Sequence, residues 1–257
     1  MKHIVITGAS SGIGAALAER LGNAGDAVVL AARNSEALTA VAARCGARAF
    51  VVPTDVTKRD EVERLRDRAI AAMGQVDVWV NNAGRGMTRR VLELRDEDID
   101  EMMAVNVKSA LYGMQAIVPH FAQRGSGHVI NVSSMLSRVP FATYRAAYSA
   151  AKSALNALTA NARMDLAATH PGIHVSLVMP GLVTTSFARN AVGGSPALPP
   201  AVTADAQTAE QVAAAIADLI DHPAAEIYTN PQHRVLAVRY FEDVGAFERE
   251  ASLRSPR

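Results

Sequence analysis

A single α/β domain built on a doubly wound parallel sheet, with helices on both faces, is the fold class that the sequence predicts. Three observations carry that expectation. Short apolar runs alternate with longer amphipathic stretches along most of the chain. The runs are continuously apolar, as expected of strands covered on both faces. The first run, Ile4 to Thr7, leads straight into Thr7-Gly8-Ala9-Ser10-Ser11-Gly12-Ile13-Gly14 and then into a helix-forming stretch.

Each element has a local reason. Ile4–Thr7 is the first strand, and Ile13–Ala24 a helix stopped by Gly25. Ala27–Ala31 is a second strand, Ser35–Cys45 a helix ending at Gly46, and Ala49–Val52 a third strand stopped by Pro53. Arg59–Met73 is a charged helix with an apolar stripe at Val62, Leu65, Ala69 and Ala72. Val76–Val80 is a fourth strand. Asp96–Asn106 and Ala110–Arg124 predict two successive helices, the first with its acids at the helix start. His128–Val132 is a fifth strand. The Ala-rich run Ala146–Ala168 predicts a helix up to Pro171 and Gly172, and His174–Met179 a sixth strand. Val192–Pro200 carries two Gly and three Pro, so 186–206 is expected to be a loop or lid. Thr208–Asp221 is a helix, and Glu226–Thr229 a short strand. Val235, Val238, Phe241, Val244 and Phe247 recur every third position, which predicts an amphipathic C-terminal helix over 232–250. One domain over 1–257, both dinucleotide-binding and catalytic, is expected.

The totals narrow the classes. Hydrophobic residues make up 49% of the 257, enough for a sizeable core, and the formal net charge is +1. That balance gives no support to nucleic-acid or membrane-surface binding. The single cysteine, Cys45, forbids an internal disulfide. No run reaches the length of a membrane span, and the opening residues read as a strand instead of a signal peptide. A cytoplasmic protein is expected. His170 and His174 flank Pro171 and Gly172 with no carboxylate or cysteine cluster, so no metal site is expected.

Two stretches carry chemistry. Tyr148 and Lys152 are four apart on a helix and share a face. An ammonium beside a phenol favours phenolate, so such a Tyr could exchange protons with an alcohol or carbonyl oxygen. The glycine-rich turn lets a backbone approach a pyrophosphate at a helix N-terminus. Its glycine spacing, G-x-x-x-G-x-G, departs from the commonest dinucleotide fingerprint, and the absence of Gly-Lys-Ser/Thr disfavours a P-loop.

Thr7-Gly8 through Gly14, Asn81-Asn82-Ala83-Gly84, Asn106, Ser134, Tyr148-x-x-x-Lys152 and Pro180-Gly181 occur together and in order. This set closely resembles the short-chain dehydrogenase/reductases, a Rossmann-type family, over nearly the whole chain. The resemblance implies Tyr148 as general acid/base and Lys152 as the group that lowers its pKa and holds the nicotinamide ribose. It implies Ser134 as hydrogen-bond partner of the substrate oxygen, and Asn106 as holder of a water reaching Lys152. Gly8, Ser10, Ser11, Gly12, Ile13 and Gly14 are implied around the cofactor phosphates. Asp55 and Val56 are implied at the adenine, Asn82, Ala83 and Gly84 at the end of the fourth strand, and Pro180, Gly181, Val183 and Thr185 at the nicotinamide. Ala32 stands where relatives that prefer NAD carry an acid, and Arg33 follows it. A guanidinium can grip a 2′-phosphate, so NADP(H) is the expected cofactor, with Ser10 or Asn34 as further donors.

Two departures stand out. The Ser134–Tyr148 spacing is one residue longer than is usual, which leaves Ser133 as a rival. The glycine-rich C-terminal turn that helps many relatives form tetramers is replaced by Glu226-Ile227-Tyr228-Thr229-Asn230-Pro231 and the amphipathic stretch. A homo-oligomer, dimer or tetramer, is still expected. Met135, Leu136, Phe141, Tyr144, Leu182 and Phe187 are the expected pocket lining, which predicts an apolar or aromatic carbonyl compound, or the matching alcohol, as the small-molecule substrate. The leading expectation is an NADP(H)-dependent oxidoreductase. A catalytically silent nucleotide sensor of the same fold, and an enzyme that epimerises or dehydrates sugar nucleotides, are the alternatives.

Overall fold

The computed structural model describes residues 1–194, 203 and 205–254. Its strands are β1 (His3–Thr7), β2 (Ala27–Ala32), β3 (Ala49–Pro53), β4 (Val78–Asn81), β5 (Gly127–Val132), β6 (Ile173–Met179) and β7 (Glu226–Tyr228). They form one seven-stranded sheet in the order β3-β2-β1-β4-β5-β6-β7, with every pair parallel. The helices are α1 (Gly12–Asn23), α2 (Ser35–Ala42), α3 (Arg59–Met73), α4 (Asp96–Met103), α5 (Ser109–Arg124), α6 (Ala146–Thr169), α7 (Ala209–Asp221), α8 (Gln232–Glu242) and α9 (Val244–Arg254).

Alternation along each strand divides the core into two layers. Ile4, Ile6, Val28 and Leu30 face Leu17 and Leu21 of α1 and Val212, Ile216 and Leu219 of α7. Val5, Val29, Trp79 and Val129 face Val62 and Leu65 of α3 and Ile117 and Phe121 of α5. Both faces of the central strands are therefore covered, which is why their sequences are apolar at every position. Each fully buried aliphatic side chain contributes about 1.5–3 kcal/mol.

Strand order reverses between β1 and β4, and a crevice opens there beyond their carboxyl ends. The two ends are stitched together. Thr7 Oγ1 accepts from the backbone N–H of Asn82 (3.0 Å) and Ala83 (3.1 Å). Asn82 Nδ2 donates back to the carbonyl oxygen of Thr7 at 2.9 Å.

Some boundaries differ from those the sequence predicts. β4 starts at Val78, not Val76, because Asp77 is held by His3 and Arg124. The two helices predicted over Asp96–Asn106 and Ala110–Arg124 are joined without a break by a π-helical turn, Ala104–Lys108. The single helix predicted over 232–250 is two helices. Asp243 lies between them with extended backbone (φ −150°, ψ 90°), and its carboxylate accepts from Ala246 N–H at 2.8 Å. Asp favours this capping role over a place inside a helix, so the apolar periodicity continues while the helix does not.

Candidate active site

The glycine turn passes from β1 into α1 with Gly8 at φ +67°. A Cβ on Gly8 would lie 2.8 Å from the Ala83 Cα, and one on Gly14 would lie 2.4 Å from the Gly8 carbonyl oxygen. The turn is thus packed against the end of β4 and against itself, with no room for a side chain at either place. Ser11 is the N-cap residue of α1 but makes no side-chain cap, and the first turn of α1 holds no acid. Its N–H groups and dipole are left for an anion from outside the helix. Ser10, Ser11 and Gly12 form one wall of a hollow of about 550 Å³, with Thr184, Thr185 and Ser186 opposite. Thr185 sits over the turn: its Cγ2 would be 3.3 Å from a Cβ on Gly12. The free N–H groups of the turn fit a pyrophosphate, while the hollow itself continues along α1 past Glu19, Arg20 and Arg44 to Glu210 of α7.

Further along the sheet edge, Arg33 is exposed at the end of β2, and its charge acts on Asp55 just beyond β3. Burial raises the Asp55 pKa, but hydrogen bonds from Thr57 and the charges of Arg33 and Lys58 outweigh it, and the net direction is down. Its Oδ1 accepts from Thr57 N (3.0 Å) and Oγ1 (2.7 Å). Asn34 follows Arg33 and is the N-cap residue of α2. Its side-chain oxygen caps α2 by accepting from Ala37 N at 3.0 Å, which fixes the side chain at the start of α2 and leaves Nδ2 as the donor. Val56 packs its side chain on the second core layer, and Val183 packs on the first.

Tyr148 and Lys152 lie on α6 and are 8% and 3% exposed. Ser134, at the end of β5, is close enough for its hydroxyl to hydrogen-bond the phenol. Ser133 is committed elsewhere. Its Oγ donates to Asn156 Oδ1 at 2.6 Å, deep under α6, which removes it as a rival at the phenol. Between Ser134 and Tyr148 the chain passes through the short 3₁₀ turn Met135–Ser137 and an irregular connection before α6 starts at Ala146. Lys152 Nζ donates to the Val132 carbonyl oxygen at 2.8 Å and lies 5.9 Å from the centre of the Tyr148 ring. Asn106, in the π-helical turn, accepts from Arg85 N (3.2 Å) and donates to Arg85 O (3.0 Å). A Cβ on Gly84 would be 3.0 Å from Asn106 Oδ1 and 3.5 Å from Lys152 Nζ. Asn106, Gly84 and Lys152 therefore meet at one point, beside the crevice.

The electrostatics differ from the sequence expectation. There an ammonium is expected to pull the phenol pKa down. Burial dominates instead: it raises the Tyr148 phenol to about 12, against the hydrogen bond from Ser134 and the charge of Arg145, which lower it. Burial likewise lowers the Lys152 ammonium to about 7. The cation that acts on the phenol is Arg145, the N-cap residue of α6, three positions earlier. Arg145 is 8% exposed. A Cβ on Gly86 would lie 3.0 Å from its Nη1, 3.1 Å from Phe187 and 3.3 Å from Ala191. Its spacing from Tyr148 is the signal in the sequence that could have found it.

The expected lining is only partly realised. Phe187 stacks edge-on to Tyr148 with ring centres 5.7 Å apart, and Leu136 joins the cluster around Tyr148. Met135 turns away into a separate cluster with Val139 and Ala237 of α8. Gly181, which follows β6, lies under the ring of His233 of α8, 2.0 Å from Cε1 to a Cβ placed there. Of the cover expected over 186–206, residues 195–202 and 204 lie outside the described residues. Its first part is tied down: Val192 N donates to Gly86 O (3.0 Å), Thr88 N to Val192 O (2.7 Å) and Thr88 Oγ1 to Gly194 O (2.6 Å).

Comparison with known proteins agrees with this geometry. The family model described as short chain dehydrogenase matches residues 2–194. An uncharacterized oxidoreductase of Staphylococcus haemolyticus is 40% identical over 204 residues, 79% of this chain and 87% of the relative. An alcohol dehydrogenase of the archaeon Thermococcus sibiricus, solved with 5-hydroxy-NADP, is 30% identical over 89% of this chain and 95% of its own, with a TM-score of 0.77. A short chain dehydrogenase/reductase of Burkholderia phymatum, solved with NAD, is 27% identical over 95% of this chain and 94% of its own, with a TM-score of 0.86.

Proposed function

The chain belongs to the short-chain dehydrogenase/reductase family of oxidoreductases, and from that premise we propose that it interconverts an apolar carbonyl compound and its alcohol with NADP(H). The observation that carries the reading is the meeting of Ser134, Tyr148 and Lys152 beside Gly84, at the mouth of the crevice where the sheet reverses order.

The bound nicotinamide supplies the hydride. Tyr148, a protonated phenol at neutral pH, donates its proton to the carbonyl oxygen. Ser134 holds that oxygen through its hydroxyl while charge develops on it. Lys152 and Asn106 flank Gly84 and hold the cofactor end of the site. The N-terminus of α1 and the turn Gly8–Gly14 receive the phosphates, and Pro180 to Thr185 close over them. Phe187 and Leu136 make the wall beside Tyr148 apolar. The protein is proposed to work in the cytoplasm as a homo-oligomer, dimer or tetramer.

NADP(H) is proposed over NAD(H) because Arg33 is exposed at the end of β2, where Ala32 leaves no acid to repel a 2′-phosphate. Charge-assisted bonds to a phosphate are worth about 1.5–3 kcal/mol each, or roughly ten- to hundredfold in affinity. Steady-state kinetics with both cofactors against ketones, aldehydes, steroids, quinones and 3-oxoacyl thioesters tests the whole reading. Higher kcat/KM with NADPH and with apolar carbonyls is expected. Arg33→Ala should raise KM for NADPH far more than for NADH. Equal efficiency with NADH overturns the cofactor assignment, and preference for sugar phosphates or small hydrophilic acids overturns the substrate class. Binding of nucleotide without turnover of any carbonyl would favour a sensor.

A further inference from the structure

The helix α8 has two apolar faces. One rests on its own domain: Ala237 packs with Met135 and Val139, and Leu236, Tyr240 and Tyr228 join them. The helix α9 packs beside it, with the Tyr240 and Phe247 rings 5.4 Å apart and Arg239 paired with Glu250. The other face is bare. Val235, Val238 and Phe241 are 64%, 54% and 63% exposed. Val238 and Phe241, with Ala237 at the base, border a groove of about 500 Å³ whose far wall is Tyr228 and the ion pair of Arg138 with Glu226; Val235 lies outside it on the same exposed face.

The charges on this face are what select an occupant. Val238 is at its centre. Arg234 lies one turn before it, and Phe241 and Glu242 one turn after. Both charged residues are exposed and line the groove. A second α8 laid antiparallel, with a two-fold axis beside Val238, would bring Arg234 of each copy over Phe241 and Glu242 of the other. The guanidinium would then have both an aromatic face and a carboxylate. A parallel copy would set like charges together. Such self-complementarity on reversal is the signature of an isologous contact.

We infer that the Val235–Val238–Phe241 face of α8 is a homodimer interface, occupied by α8 of a second copy running antiparallel about Val238. This rests on the oligomer reading above and adds the surface. The interface is small, and dissociation in the micromolar range is expected.

Cys45 is the only cysteine, is buried, and its thiol is pushed up to about 11 by burial, so it adds little background to a cross-linking test. Val238→Cys in the full chain, air-oxidised, should form a disulfide-linked dimer on non-reducing gels, because only a residue near the two-fold axis meets itself. In sedimentation, wild type should be dimeric at about 100 µM, far above a micromolar constant. Val238→Glu should be monomeric, with its circular dichroism retained. Arg234→Glu and Glu242→Arg should each weaken the dimer about tenfold, and the double variant should restore it. A wild type monomeric at that concentration sinks both the oligomer reading and this surface. An oligomer that survives Val238→Glu, or a Val238→Cys chain that does not cross-link, sinks this surface alone.

Discussion

The phenol of Tyr148 and the amine of Lys152 are both displaced towards their neutral forms, to about 12 and about 7, because both are removed from water. A protonated phenol is ready to donate, so carbonyl reduction should hold its rate across neutral pH. Alcohol oxidation needs the phenolate and should rise with pH up to at least about 9. Initial rates in both directions over a pH series check this; oxidation that peaks below neutrality contradicts it. Tyr148→Phe should lose about 10²–10⁴-fold in kcat and keep its cofactor affinity, and near-normal turnover would remove Tyr148 from the chemistry. The Lys152 shift also has a stability consequence. Its folded pKa lies below the unfolded value of 10.5, so between about 7 and that value the unfolded chain binds a proton that the folded chain does not. Wild-type stability therefore gains with rising pH in that window. Any advantage of Lys152→Met in melting temperature should be largest below about pH 7 and shrink towards pH 10. A difference that stays flat across the series is the contrary result.

Placement of the reacting helix is an element-scale matter. Trp79 Nε1 donates to Asn81 Oδ1 (2.8 Å), Asn81 Nδ2 to Asn131 Oδ1 (2.8 Å), and Asn131 Nδ2 to Thr159 Oγ1 (2.9 Å). This buried chain runs from β4 across β5 to α6, and so ties the helix of Tyr148 to the sheet. Asn131→Leu would remove one bond from each of Asn81 and Thr159, leaving Asn81 with Trp79 and Ala110 and Thr159 with Leu155, and would cut the link between β4 and α6. It should cost about 1–3 kcal/mol in denaturant unfolding, plus a loss of kcat from a less firmly held α6. A neutral effect on both would show that the chain does not position the helix. The turn into α1 is equally constrained. Gly14→Ala must move the backbone near Gly8, 2.4 Å away, and should weaken cofactor binding at least about tenfold by calorimetry.

For the whole molecule, the sheet sets where the crevice is and the C-terminal helices complete the back of the site. The ring of His233 lies on Gly181, and Ala237 covers Met135 and Val139. A chain ended at Pro231 would expose Met135, which directly follows Ser134, and Val139 one turn further on. It should melt several degrees lower, since about 1 kcal/mol corresponds to about 2–4 °C in a domain of this size. Its KM should also rise. Unchanged melting and kinetics would make these helices dispensable to the site.

Much of this protein was legible in its sequence by itself. Continuous apolar runs between amphipathic stretches define a covered parallel sheet, because only strands buried on both faces need apolar residues at every position. The glycine turn and the Tyr148–Lys152 pair were legible from local chemistry and helical spacing, whereas Ser134 joined them only through the resemblance to the short-chain dehydrogenase/reductases. Ser133 against Ser134 was not legible. Only the tertiary structure, by bonding Ser133 to Asn156 under α6, assigned the hydroxyl beside the phenol. The sign of the Tyr148 shift was also beyond the sequence. Helical spacing places Lys152 on the same face, but only packing shows that its ammonium is spent on Val132 O while burial rules both groups. The burial of Arg145 is decided by packing for the same reason: exposure is a property of what packs against a residue, not of the residue. The C-terminal stripe shows the limit from the other side. Its periodicity announced an amphipathic helix, but a single period cannot tell one face from two. Only the fold decided that the chain breaks at Asp243 and that α8 turns Ala237 inwards while Val235, Val238 and Phe241 face outwards.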